Sequence, residues 1–571
     1  MNPTTSAVLL FVTSPLAAAQ SPVVLVKDGD LVAGVGNVTS IDNFGVNSSG
    51  TWIVEADTDN PTAAVDGVLI RNGAVILRQG DPLAAPAGAS VGSFDAVVIN
   101  GAGESGWNLF LTGVPTTADS GLFFGSTLVI QEGSISAASG FTAGTPYIGF
   151  FETKWNDARQ MLVVASVDDP AVLSTVDRAM VLVAVDGVGT LLSETLLLKE
   201  GDPIPGLGGA LVVDFGTGPH DFALNNSGVS LYSADSDAAT TTDGVILRDT
   251  TVIAREGDAS PVPGRAYETL FGRHLDQGDG GDYVFIADLD GAITDDIVIV
   301  KNGTTVVARE GSGLAAIGAF TITSFGTGPV RIDALGNVYW FGDWNDPNTT
   351  RDTGLFRNDQ LIVQEGVTLT SGGAVITTIA SGESSFAISP DGRYLIFEGQ
   401  LAGGVDASFL LDTTQPTTPF CFGTGAGTPC PCGNSGASGH GCASSIVAAG
   451  ANLAATGTAS VASDTLVLQG SGMPNSSALY FQGTSQQAGG LGVVFGDGLR
   501  CVGGTVVRLG TKTNVGGTSQ YPTLGDLSVS VRGGVVVPGT RSYQVWYRNA
   551  ATFCTPSTFN LSNGMSVDWS S

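Results

Sequence analysis

Apolar residues along the chain fall in short β-branched and aliphatic runs, each closed by a Gly, Asn, Asp or Pro turn signal, and no segment carries a helical period. One pattern keeps returning. An aliphatic run leads into a polar residue, a polar or acidic residue and a glycine at Lys27-Asp28-Gly29, Arg78-Gln79-Gly80, Gln131-Glu132-Gly133, Lys199-Glu200-Gly201, Arg255-Glu256-Gly257, Arg309-Glu310-Gly311 and Gln364-Glu365-Gly366. The glycines lie 51, 53, 68, 56, 54 and 55 residues apart, a period that marks a repeat architecture. Between refrains the pattern predicts a strand, a tight turn and a second strand, then an Asp-bearing loop, a third strand and the refrain as the fourth. In the first unit the turn is Asn47-Ser48-Ser49-Gly50, and Asn72-Gly73 joins the last two strands. Asn-Gly between aliphatic runs predicts a type I′ hairpin, because both central residues must take positive φ. Asn225-Asn226-Ser227-Gly228, Asp333-Ala334-Leu335-Gly336 and Ser389-Pro390-Asp391-Gly392 are the corresponding first turns further on.

Four short strands per unit, repeated seven times, predict an all-β, seven-bladed β-propeller. The count of chain ends sharpens this. Strand-like runs continue after Gly366 with no refrain of their own, whereas Val23 to Gly29 is a refrain standing before any unit. The amino-terminal strand is therefore expected to complete the last blade, which leaves no unpaired edge at the seam. The 68-residue interval from Gly133 to Gly201 is read as one blade with a longer loop around Asp168 to Thr175.

The expected domains are a signal peptide over 1–19, the propeller over 20–412, a Pro/Thr linker over 413–420 and a cysteine-containing β-sandwich over 421–571. The signal peptide rests on the apolar run Ala7 to Leu16 followed by Ala17-Ala18-Ala19. No later stretch reaches the roughly 20 apolar residues of a membrane helix. Within the last domain, strand-like runs include Thr465 to Leu468, Ala478 to Phe481, Thr505 to Leu509, Leu527 to Val531 and Tyr543 to Tyr547.

With 53 acidic against 23 basic residues the formal net charge is −30, so phosphate backbones and anionic lipid are repelled and nucleic acid is not an expected partner. A monomer is expected. All six cysteines, Cys421, Cys430, Cys432, Cys442, Cys501 and Cys554, lie in the tail, and an even count in an exported chain implies disulfides. The chosen connectivity joins Cys501 to Cys554 and closes 421–442 with the other four. Zinc ligation by Cys430, Cys432, His440 and Cys442 is the alternative, disfavoured by the one-residue spacings.

The stretches CPCGNSGASGHGC at 430–442, FGDGLRCVGG at 495–504 and SYQVWYRNAATFCTPSTFNLSNG at 542–564 resemble a C-terminal module of secreted proteins from planctomycete-type bacteria. LKEGDPIPG at 198–206 resembles uncharacterised repeats of exported bacterial proteins, and FAISPDGRYLIF at 386–397 resembles TolB-type propeller repeats. The resemblance implies a secreted or cell-surface bacterial protein, and carries no activity to any residue.

Candidate chemistry is sparse. An aspartate stands at the entrance to each third strand: Asp66, Asp119, Asp177, Asp243, Asp295, Asp352 and Asp406. An Asx-type turn explains that position without a ligand. For the aspartates calcium is the candidate ion, with Asp288, Asp290, Asp295, Asp235, Asp237 and Asp243 as candidate ligands, although no loop has the EF-hand order. No cofactor is expected otherwise. His220, His274 and His440 are read as scattered. Gly88-Ala89-Ser90-Val91-Gly92 fits a nucleophile-elbow motif but precedes a strand instead of a helix. Trp52, Trp107, Trp340 and Trp344 are the candidate ligand-facing aromatics, with core positions expected for the first three. The leading expectation is an exported non-catalytic binding or adhesion protein for a glycan, peptide or surface partner. A hydrolytic propeller using funnel carboxylates and a structural envelope component are the alternatives.

Overall fold

The fold comes from a computed structural model that describes residues 21–170, 177–413, 417–456, 459, 461, 464–537, 539–550 and 553–569. The expected signal peptide over 1–19 and most of the loop around Asp168 to Thr175 lie outside them. The chain is all-β and divides after Thr413 into two compact units.

In the first unit each repeat forms one antiparallel sheet, seven in all among the described residues. The sheet from Ser90–Ile99, Ser105–Thr112, Ser120–Phe124 and Thr127–Gln131 is representative, its strands neighbouring one another in chain order. The long interval forms a single sheet with a longer third strand, Asp177–Val185. The last sheet holds Ile376–Ile379, Phe386–Ile388, Tyr394–Leu401 and Val405–Asp412, and its outer strand is Val23–Lys27. Val24 lies opposite Phe409 and Lys27 opposite Ala407 in that antiparallel pairing. The unit's first and last strands thus share a sheet.

The refrain has a physical explanation in how one sheet hands over to the next. All seven refrain glycines take φ between +65° and +84°, a conformation that costs glycine little and other residues more. Each then donates its N–H, at 2.8–2.9 Å, to a carbonyl on the first strand of the following sheet: Val38, Val91, Tyr147, Val212, Tyr267, Ile322 and Ile376 in turn. The residue before the glycine reaches sideways. Gln79 Oε1, Glu132 Oε2 and Glu256 Oε2 accept the N–H groups of Gly67, Asp119 and Gly244, at the entrance to the third strand. One position earlier, Gln131, Arg255 and Gln364 donate to the carbonyls of Ala118, Thr242 and Arg351. The hairpin turns behave as their residues require. Asn72 and Gly73 have φ of 47° and 82°, and Asn72 Oδ1 accepts the Trp52 N–H at 3.0 Å.

Apolar side chains pack between successive sheets instead of into one shared core. Ile53 and Leu69 of the first sheet meet Val91, Trp107 and Phe123 of the second. Leu162, Val164 and Met180 of the third meet Phe215, Phe222 and Tyr232 of the fourth. Val26 and Ile396 of the seventh meet Val38 and Val54 of the first, so the series of sheets returns to its start.

The second unit has a main sheet with Thr417–Phe420, Gly564–Trp569, Gly539–Arg548, Ser477–Gln486 and Val502–Thr513 in spatial order. Asn452–Thr456, Val467–Ser471 and Ser519–Tyr521 form a second sheet. Leu453, Leu468, Tyr480, Tyr543, Val545 and Val567 share the core cluster to which both sheets contribute. Three readings of the sequence are corrected here. Residues 417–420 of the expected linker are a strand, because Thr417 to Phe420 pair with Val567 to Gly564. The run Leu527 to Val531 leads into a helical turn, Val529–Gly533, closed by Gly534 at φ 66°. The disulfides join Cys421 to Cys501, Cys430 to Cys442 and Cys432 to Cys554. Cys501 sits at the head of Val502–Thr513 among Cys421, Cys430 and Cys442 in one buried cluster, so it bonds there and not to Cys554. Cys554 lies beside Asn434 instead, on a loop that Asp497 holds through the Thr555 N–H and hydroxyl.

Candidate functional site

The first strands of the seven sheets run into turns that begin at Asn47, Asn100, Asn156, Asn225, Gly278, Asp333 and Ser389. The asparagines do two things at once. Asn47 Oδ1 accepts the Thr51 N–H within its own turn, while its Nδ2 donates to the Asn100 carbonyl of the next sheet at 3.1 Å. Asn100 repeats this toward Asn156, at 3.4 Å, and Asn156 toward Asn225, at 3.0 Å. All four are buried, so their amides satisfy backbone groups that water cannot reach.

Two residues before each turn residue, and therefore on one common face of each first strand, stand Gly45, Val98, Lys154, Ala223, Asp276, Arg331 and Ala387. All except Ala223 line one cavity of about 230 Å³. Four of the seven equivalent positions are thus small or aliphatic, and three carry charge. Lys154, Asp276 and Arg331 come from the third, fifth and sixth sheets and have no counterpart in the others. Asp157, Asn226 and Asp279 also line this cavity. Asn226 donates its N–H to Asp279 Oδ1 at 2.7 Å and its Nδ2 to Asp157 Oδ2 and Asp279 Oδ2, at 2.9 and 2.8 Å.

Further along the same strands the fourth to seventh sheets depart from the first three. Their first strands are broken in two, for example Val212–Phe215 and Phe222–Leu224, both halves pairing with the same second strand. The inserted loops bond to one another across sheets. His220 Nε2 reaches the Glu383 carbonyl, His274 Nδ1 the Gly328 carbonyl at 2.9 Å, and the Thr327 N–H the Ser381 carbonyl at 2.9 Å. Lys154 Nζ donates to the Pro219 carbonyl and lies 5.3 Å from the centre of the Phe222 ring. The rings of His220 and His274 meet edge-on, 5.2 Å apart, so these two histidines are gathered and the reading of them as scattered is corrected.

Desolvation dominates the electrostatics here. Burial pushes the Glu152 carboxyl up to about 7, against the pull of Lys154, and burial lowers Lys154 to about 8, against the pull of Glu152. Burial raises Asp276 while Arg331 and the Ile332 N–H, 2.9 Å from Asp276 Oδ2, hold it down. His220 is pushed well below its ordinary value by burial and by the positive charges of Arg331 and Lys154, so its imidazole is neutral. With Nε2 donating to Glu383, His220 Nδ1 is a buried acceptor without a partner among the described residues.

The residues singled out from sequence go elsewhere. Asp66, Asp119, Asp243, Asp295, Asp352 and Asp406 stand at third-strand entrances, and Asp177 opens its strand. Asp406 exchanges contacts with Asp28 at the closing strand, its N–H 3.4 Å from Asp28 Oδ2. The calcium candidates are engaged by the protein itself. Asp288 pairs with Arg273, Asp290 with Arg265, and Asp295 with both Arg265 and Arg309. Asp237 Oδ1 accepts the Leu211 N–H at 2.7 Å, Asp235 Oδ1 the Ser236 N–H at 2.9 Å, and Asp243 lies beside Glu256. Among the described residues no group of three or more His, Cys, Asp or Glu side chains is placed to hold a metal ion. Trp107, Trp340 and Trp344 are buried, Trp52 is half-buried, and Ser90 is the first residue of a strand. Trp344 is therefore a core residue and not a ligand-facing one. The signal that could have located the inserted loops is the stretch FGTGP, present at both 215–219 and 325–329.

A family of unknown function, DUF7453, matches residues 16–249. No curated protein matches the chain. Among solved structures it is similar to an α-L-arabinanase of Penicillium chrysogenum complexed with arabinobiose, at 13% identity and TM-score 0.28 over 69% of this chain and 99% of that one. It is also similar to the sialidase of Trypanosoma rangeli, at 11% identity and TM-score 0.28 over 100% and 94%. The lectin of Aleuria aurantia, a six-bladed propeller with fucose recognition, matches at 8% identity and TM-score 0.26 over 58% and 96%. At these TM-scores the likenesses carry no argument about the ligand.

Proposed function

We propose that the chain is an exported binding protein built as a seven-bladed β-propeller followed by a disulfide-braced β-sandwich, and that the propeller takes a hydroxyl-rich ligand, a glycan end, in the cavity around Lys154, Asp276 and Arg331. The observation that carries this reading is the break in repeat symmetry. Four of seven equivalent positions carry Gly, Val or Ala, so nothing in the packing of a repeat requires a charge there. A mixed set of donors and acceptors at a half-buried site suits vicinal hydroxyls, which donate and accept together. Three disulfides fit an oxidising compartment, and among the described residues no helix is long and apolar enough to cross a membrane. Two carboxylates of this region are engaged by the protein, Asp276 by the Ile332 N–H and Asp221 by the Gly218 N–H, which favours binding over turnover.

The test is a glycan array probed with the mature chain and with Lys154→Met, Asp276→Asn and Arg331→Met. The expected result is a defined set of glycans whose signal each variant lowers by about tenfold or more, the loss of one charge-assisted pair of hydrogen bonds. Equal signal from the parent and all three variants removes the cavity as the site. A second reading is favoured by Glu152 alone, since a carboxyl held at about 7 suits a general acid. It predicts that array-positive glycans are cleaved by the parent and not by Glu152→Gln. Intact glycans after prolonged incubation with the parent remove that reading.

A further inference from the structure

The second unit carries a cleft of its own, of about 430 Å³, on the face of its main sheet turned away from the core. Alternation along the strands creates it. Ala478 and Tyr480 enter the core, as do Tyr543, Val545 and Tyr547, which leaves Leu479, Phe481 and Trp546 on the other side. The hairpin of Val493–Phe495 and Gly498–Arg500 folds over this face. It is anchored at its base by the Cys421–Cys501 disulfide and at its turn by buried Asp497, which accepts the Asn549 side-chain amide at 2.9 Å. The cleft walls are therefore fixed before any ligand arrives.

Aromatic rings and arginines dominate its lining. Phe495 is 42% exposed and Trp546 half-buried, each within 5.4 Å of the Phe559 ring. Arg500 lies over Phe495 and Arg548 over Trp546, at 6.0 and 5.3 Å. Arg508 lines the cleft, is exposed, and makes no ion pair among the described residues. No acid lines the cleft, and the charge of the whole segment is distinctive. Of the 53 acidic residues only Asp464, Asp497, Asp526 and Asp568 fall after residue 420, against six of the 23 lysines and arginines. Asp497 and Asp526 are already engaged, the latter by Lys512.

We infer that this cleft is a binding site for an acidic polysaccharide, a uronate-type chain whose ring stacks on Phe495 and Trp546 while its carboxylate meets Arg500 and Arg508. Charge complementarity fixes the sign of the occupant. The surface is built from side chains on a sheet face and on the hairpin beside it. A pyranose ring presents an apolar C–H face to the aromatic platform and polar substituents at its rim, which matches the arrangement of rings and guanidinium groups here. This site is separate from the cavity among Lys154, Asp276 and Arg331.

The experiment is titration calorimetry of the mature full-length chain with polygalacturonate, with neutral dextran and poly-L-glutamate as comparison polymers. Binding to polygalacturonate is expected to exceed binding to either comparison. Arg508→Glu, Trp546→Ala and Phe495→Ser are each expected to weaken it at least tenfold. Arg508 and Phe495 are exposed, so those two variants keep the readout if Trp546→Ala does not fold. The inference is overturned by absence of polygalacturonate binding, by equal affinity for poly-L-glutamate, or by indifference to Arg508→Glu and Phe495→Ser.

Discussion

At the residue scale the chain stores protons. Asn43 donates to Glu55 Oε2 at 2.8 Å, yet burial, helped by Asp42, Asp57 and Asp95, pushes Glu55 up to about 7. Burial with Asp406 and Asp42 does the same to Glu398, also to about 7. For a carboxyl raised on folding, the native state holds a proton that the unfolded chain releases near 4.5. Its contribution to stability is fully present below that value and is lost as pH rises through about 7. The melting temperature is therefore expected to fall between pH 5 and pH 8. Glu55→Gln keeps an acceptor for Asn43 and removes the titration, so it should raise the melting temperature at pH 8 by about 2–4 °C or more and flatten the slope. A melting temperature that rises with pH across this window, or a slope that Glu55→Gln leaves unaltered, contradicts the assignment.

At the element scale the refrain is a device for passing from one sheet to the next. Its glycines share a positive φ but not their surroundings. A Cβ on Gly29 would meet nothing within 4 Å, whereas one on Gly366 would stand 2.0 Å from the Thr350 carbonyl oxygen. Gly29→Ala is expected to cost the conformational penalty alone, about 1–2 kcal/mol, and Gly366→Ala distinctly more, because backbone must also move. Urea unfolding of the two variants checks this, and equal costs would place the burden on φ only.

This scale also separates what the sequence disclosed from what it withheld. Hairpin turns and refrains were legible because Asn-Gly and the glycine motif act through local φ, ψ requirements, which leave their mark in a few adjacent residues. The partner of each refrain glycine was not, since it is a carbonyl, and carbonyls have no sequence. Cysteine pairing was illegible for a related reason, Cys432 and Cys554 being brought together over 122 residues by a loop packed on Asp497. Lys154, Asp276 and Arg331 escaped notice because periodicity draws attention to what recurs. Their significance lies in occupying a position where other repeats carry Gly, Val or Ala.

At the scale of the whole molecule, the cavity depends on the seven sheets returning to their start. Its lining is drawn from the first, second, third, fourth, fifth, sixth and seventh sheets, through residues such as Phe44, Ile99, Lys154, Leu224, Asp276, Arg331 and Ala387. The seam is held by Val23–Lys27, with Val26 buried against the first sheet and Ser384 Oγ donating to Asn43 Oδ1 at 3.2 Å. The most direct measurement compares scanning calorimetry of the chain with that of a chain lacking residues 21–29. Loss of this paired strand is expected to lower the melting temperature of the first unit by at least about 5 °C, and to abolish the dependence of the proposed glycan binding on Lys154 and Arg331. An unchanged melting temperature together with unchanged binding would contradict a closed circuit of sheets.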